Sequence, residues 1–152
     1  MDQEKRKKYQ LLKEKNRAKV KELKWKNNVL FKECTASLDD YSILSREKTD
    51  ILFKQFKHNF PRTDYGGIDW EKVTEVILIK NIYDIYDIYD ENYEYYILWE
   101  QQDLPCISCK LPIIINNIDD VLAVSFDTWL LSQNEREVIE FHHEGKIVYG
   151  KM

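Results

Sequence analysis

Glu137-Val-Ile-Glu-Phe-His-His-Glu-Gly-Lys-Ile-Val-Tyr-Gly150 is the stretch that decides the fold class. Val138, Glu140 and His142 alternate with Ile139, Phe141 and His143, the period of two that sends successive side chains to opposite faces of a strand. Glu144-Gly145 supplies a turn and Lys146 to Gly150 returns, so the segment reads as a β-hairpin. Working backwards, Ala123 to Leu131 reads as a strand with Val124, Phe126, Thr128 and Leu130 on one face. Ile113 to Val121 is less regular. Cys106 to Lys110, after Pro105, and Tyr95 to Glu100 are two further strands.

Ahead of these strands the period changes to that of helices. Residues 2 to about 33 read as one long basic helix, with Tyr9, Leu12, Val20, Leu23 and Leu30 on a narrow stripe interrupted by Asn16 and Asn27. A break follows at Thr35 to Asp40. Ser45 is placed to cap a second helix running to about Asn59, with Thr49, Leu52, Phe53, Phe56 and Phe60 as its apolar face and Pro61 as its stop. Arg62 to Gly67 is a loop. Asp69 is expected to cap a third helix carrying Trp70, Val73, Val76 and Ile77. Helices first and an antiparallel meander after them imply an α+β fold, with helices packed on one face of a four- to five-stranded sheet. The length of 152 residues suits one domain over 1–152, mainly helical over 1–80 and mainly sheet over 93–150.

A hydrophobic fraction of 43% is enough for a core, and a charged fraction of 33% keeps the surface solvated. Four Gly and three Pro argue against disorder. No apolar run approaches the roughly 20 residues a membrane span needs, and no apolar segment follows the charged N-terminus. Three cysteines are an odd number for a disulfide framework, so a reduced cytoplasmic setting is expected. Charge is unevenly placed. Residues 1–60 hold 16 Lys+Arg against 9 Asp+Glu, whereas residues 61–152 hold 7 against 18. Such asymmetry bears on partners rather than on fold.

Catalytic and metal chemistry find little support. Cys106-Ile-Ser-Cys109 is a CxxC in a β-like run, so its thiols should point to opposite faces and pack rather than react. It has no second pair to complete a zinc site. His142 and His143 neighbour Glu140 and Glu144, but adjacent strand residues face apart and should not meet one ion. The four glycines, Gly66, Gly67, Gly145 and Gly150, form no phosphate loop. Neither a catalytic residue, a metal nor a cofactor is expected.

The remaining constellation is acidic. Asp84, Asp87 and Asp90 recur in an Ile-Tyr-Asp triplet repeat over residues 82–90, followed by Glu91, Glu94, Asp103, Asp119, Asp120 and Asp127. The triplet period matches neither the strand's two nor the α-helix's 3.6. The repeat is therefore expected to be a helix continuation or a length-tolerant surface segment. Tyr83, Tyr86, Tyr89 and Tyr93 interleave with the acids, and rings among charges suit a protein interface.

Tyr96-Ile-Leu-Trp99, Asp103-Leu-Pro105, Asn117-Ile-Asp-Asp-Val121, Ser125-Phe-Asp-Thr-Trp129 and Val138 to Ile147 together resemble small bacterial immunity proteins of contact-dependent inhibition and related polymorphic toxin systems. The resemblance covers about residues 93–150. It implies a non-enzymatic inhibitor that covers the active site of a cognate toxin domain, with no membrane partner. Many such toxins are nucleases with basic clefts, which the acidic excess after residue 60 would match. The expected contact residues are Asp84, Asp87, Asp90, Glu94, Tyr83, Tyr86, Asp103, Asp119, Asp120 and Asp127. The alternative is a nucleic-acid-associated protein using the basic first helix, which the interleaved Glu4, Glu14, Glu22 and Glu33 disfavour.

Overall fold

The computed structural model describes residues 3–26, 28–101 and 103–152 and, over 17–26, the backbone alone. The hairpin forms as read. β6 (Glu137–Phe141) pairs antiparallel with β7 (Ile147–Lys151), from Glu137 opposite Lys151 to Phe141 opposite Ile147. Gly145, at φ +94°, takes the left-handed turn conformation that a side chain would strain. The hairpin joins β1 (Tyr41–Ile43), β2 (Glu75–Ile79), β3 (Glu94–Trp99), β4 (Ile107–Lys110) and β5 (Thr128–Leu131) in one sheet of order β1-β4-β3-β5-β6-β7-β2. Every neighbouring pair is antiparallel. The α+β class stands, with seven strands instead of four or five.

Helices cover both faces of the sheet, not one. α3 (Arg46–Asn59) packs Leu52 and Phe56 against Leu98, Trp129, Leu131 and Val138. On the other face α2 (Val29–Ser37), α4 (Leu111–Asn116) and α5 (Ile118–Leu122) cover Ile97, Trp99, Ile107, Leu130 and Ile139. The reason lies in β5, whose Thr-Trp-Leu-Leu has no polar-out position, so both of its faces must be buried. Cys106 and Cys109 fall on opposite faces, each buried in a different cluster. Burial pushes the Cys106 thiol up to about 12 and the Cys109 thiol up to about 11.

α3 begins where its cap predicts. The Ser45 side chain accepts from the Lys48 N–H, and the helix closes at Asn59, two residues before Pro61. Thr49, in the apolar face, is fully buried and its Oγ1 accepts from the Cys106 N–H at 3.1 Å, tying α3 to the start of β4.

Other elements depart from the sequence reading. The long first helix is two, α1 (Gln3–Lys26) and α2, because Asn28 caps a new start by accepting from the Phe31 N–H. On α1, Tyr9 and Leu12 are exposed, so that part of its stripe packs on nothing; Val20 and Leu23 lie outside the described side chains. The expected third helix is a single 3-10 turn, Trp70–Lys72, with no side-chain cap from Asp69, followed by β2. Val76, Ile77, Leu78 and Ile79 form an apolar run, β-branched at all but Leu78, that the free edge of β7 recruits. Residues 123–127 stay outside β5, and most of Ile113 to Val121 is helical in α4 and α5, where Pro112 sits in the first turn of α4.

Candidate functional site

The first two triplets of the Ile-Tyr-Asp repeat fold as a 3-10 helix, Ile82–Asp87, with the Asn81 side chain accepting from the Tyr83 N–H, and the third triplet follows as a turn. A 3-10 helix has 3.0 residues per turn, so a triplet repeat draws three straight stripes along it. The isoleucine stripe faces inward, with Ile85 fully buried and Ile82 and Ile88 packed on the core. The aspartate stripe faces outward, and Asp84, Asp87 and Asp90 are all exposed. The tyrosine stripe runs from surface to core: Tyr83 is 67% exposed, Tyr86 half-buried and Tyr89 buried. Tyr89 stacks on Tyr95 at 4.1 Å and donates its hydroxyl to the Leu130 carbonyl at 2.8 Å. A segment so anchored is not a length-tolerant insertion.

β2 leads into this helix and forms one edge of the sheet. Val76, Ile77 and Leu78 are 43–60% exposed on it. Three consecutive apolar residues on an edge with unpaired backbone groups are a template for a further strand.

The other acids are dispersed. Glu94 is exposed at the start of β3 and accepts from the Ser108 hydroxyl at 3.4 Å. Asp119 and Asp120 are exposed in the first turn of α5, where Asp120 accepts from the Ser37 hydroxyl at 2.7 Å. Asp103 is half-buried in the turn before β4. Asp127 is only 2% exposed and its carboxylate turns inward, so it lies off the acidic surface.

Buried Asp127 belongs to a polar row, otherwise half-buried, that the strand register creates. Trp99 of β3 lies opposite Thr128 of β5, and Thr128 lies opposite Phe141 of β6. The next residues out, Glu100, Asp127 and His142, therefore sit side by side at one end of the sheet. Asp127 Oδ1 accepts from the His143 backbone N–H at 2.8 Å and lies 3.0 Å from His143 Nδ1. Contrary to the expectation that the two histidines face apart, β6 ends at Phe141, and the His142 and His143 rings lie 4.1 Å apart in the turn beyond it. Burial and the neighbouring Asp127 carboxylate raise the Glu100 carboxyl. Burial opposes ionisation of Asp127, but its hydrogen bonds from His143 and with Glu100 outweigh that and hold it below its ordinary range.

A loop closes over this row. The Arg62 guanidinium lies 4.5 Å above the Trp129 ring and donates to Glu100 at 3.2 Å. Buried Glu140, opposite Trp129 in the register, accepts from Trp129 Nε1 and from the Ile68 N–H, each at 2.9 Å. Sequence reasoning missed Arg62, Glu100 and Glu140 because their partners are set by register and loop closure; an acid in the middle of an otherwise apolar strand, as at Glu140, was the available signal. Ser125 Oγ is spent on backbone groups, donating to the Asp127 carbonyl and accepting from the Glu100 N–H, so it is not presented to His143 as a nucleophile.

The family model described as CdiI immunity protein, EcoliA0-like, matches residues 28–150. The chain belongs to this CdiI immunity family. The match opens at the cap of α2 and takes in all seven strands to within a residue of the end of β7, so the 3-10 helix, the β2 edge and the polar row are all inside it. It leaves α1 outside. No curated protein matches the chain. No helix among the described residues is long and apolar enough to cross a membrane.

Proposed function

We propose that this CdiI family member neutralises a cognate toxin domain by binding rather than catalysis, and that it meets a basic surface of that toxin with the acidic stripe of the 3-10 helix. The observation that carries this reading is the exposed pair Asp84 and Asp87 on one stripe of the 3-10 helix, with exposed Asp90 just beyond its end, near the apolar β2 edge. Acids would steer a basic partner and help set specificity, while Val76, Ile77, Leu78, Tyr83 and Tyr86 would supply the desolvated contact. Glu94, Asp119 and Asp120 would extend the negative field, and Asp103 would lie at its margin. A nuclease is the toxin class whose cleft best fits such a surface. The cytoplasm is the compartment where such a target would act.

The test is co-expression with the toxic domain encoded directly upstream. Protection supports the reading. A toxic neighbour against which the chain gives no protection refutes it. A second reading rests on α1, which lies outside the family match and exposes Lys5, Arg6, Lys7, Lys8, Lys13 and Lys15. It predicts nucleic-acid binding that weakens steeply with salt and vanishes when residues 1–27 are removed. No RNA or DNA affinity at low salt eliminates it.

A further inference from the structure

We infer that Asp127, His142 and His143 form a binding site for one divalent transition-metal ion, with zinc as its natural fit. One ligand atom from each of the three residues lies within 4.8 Å of the other two. Donors around a tetrahedral zinc stand roughly 3.3 Å apart, given metal–ligand distances near 2.0–2.1 Å. The Asp127 Oδ1 to His143 Nδ1 separation of 3.0 Å is already close to that, so an ion can take the place of the proton those atoms now share. The donor set, now within 4.8 Å, has to draw in to that spacing, which asks the His142 ring to turn. It is 22% exposed, in a turn rather than a strand, which leaves it that freedom.

The surroundings suit a cation. Asp127 is buried, and the Glu100 carboxyl beside it offers a hydrogen-bonding neighbour of the kind that orients metal ligands. His143 is 44% exposed, which gives an entry path from solvent. Two imidazoles and one carboxylate select zinc, nickel or cobalt over calcium and magnesium, which prefer all-oxygen shells. Three protein ligands leave one position open to solvent, beside the exposed Phe126 ring 6.1 Å from His143. The ion would clip the β6–β7 turn to the segment entering β5. This inference does not depend on the docking reading, since the row lies apart from the 3-10 helix in sequence and is built from different strands.

The full chain, stripped with chelator, is titrated with zinc chloride by calorimetry and with cobalt chloride by absorption spectroscopy. One zinc per chain is expected. Cobalt should give the visible bands of a low-coordinate nitrogen and oxygen site without a thiolate charge-transfer band. His142→Ala and His143→Ala should each weaken binding about tenfold or more, while His58→Ala, on α3, should leave it unchanged. Absence of stoichiometric binding at micromolar zinc overturns the inference, as does binding that survives the double histidine variant. A thiolate band overturns it on the unmodified chain alone, whatever the variants do to folding.

Discussion

Reversing Asp84, Asp87 and Asp90 to lysine together separates docking from folding. A 3-10 helix rises about 2.0 Å per residue, so Asp84 and Asp87 stand roughly 6 Å apart along the stripe, with Asp90 beyond the helix end. Two like charges at that spacing repel by about 0.7 kcal/mol in water, less what salt screens over a Debye length of about 8–10 Å. Three lysines repel one another as three aspartates do, so the self-energy of the stripe is nearly unchanged. Asp84 and Asp87 are exposed and the inward stripe of Ile82, Ile85 and Ile88 is untouched, so each of these two changes should move stability by no more than about 0.5 kcal/mol, while Asp90→Lys also removes the 2.8 Å bond that Asp90 accepts from the Asn92 N–H, at about 0.5–1.5 kcal/mol. The net charge, in contrast, moves from −4 to about +2, since each reversal adds two charges. Association with a basic toxin should therefore slow by about 10- to 1000-fold at low salt, with little change in dissociation. Stopped-flow or surface-plasmon kinetics at two salt concentrations read both rates, and circular dichroism verifies the fold. An unchanged association rate at low salt would refute the docking argument and move the contact elsewhere on the molecule.

Trp129→Ala should destabilise the chain by about 3–5 kcal/mol, because the ring is fully buried against Phe56 and under Arg62, and its loss also takes a donor from Glu140. Urea denaturation measures this, and a cost under about 1 kcal/mol would contradict the packing described. Gly150→Ala should cost about 1–3 kcal/mol, since a Cβ there would collide with the Trp70 ring and push it off β7; thermal melting of the variant decides. With Cys34 and Cys106 pushed up to about 12 by burial and Cys109 to about 11, the folded chain should leave a disulfide thiol reagent almost unconsumed at pH 8 and consume three equivalents once unfolded. Rapid reaction of the folded chain would show that one of these thiols is reachable.

The elements legible from the amino-acid order are those whose determinants lie a few residues apart. Alternation through Val138 to Phe141 and the turn at Gly145 specify the hairpin, and Ser45, the 3.6-residue spacing from Thr49 to Phe60 and Pro61 specify α3. The triplet repeat was equally local, since its period is that of the 3-10 helix, which is too rare in six-residue runs to be expected. Val76 to Ile79, however, could serve a helix or a strand, and only the free edge of β7 chose the strand. Burial of both faces of the sheet likewise followed from how many strands assembled and what covered them. The polar row of Glu100, Asp127 and His142 had no local signature at all. Its members stand 15 and 27 positions apart and meet because Trp99 pairs with Thr128 and Thr128 with Phe141. Periodicity and capping are encoded between near neighbours along the chain, whereas register joins residues whose separation in sequence carries no trace of their contact.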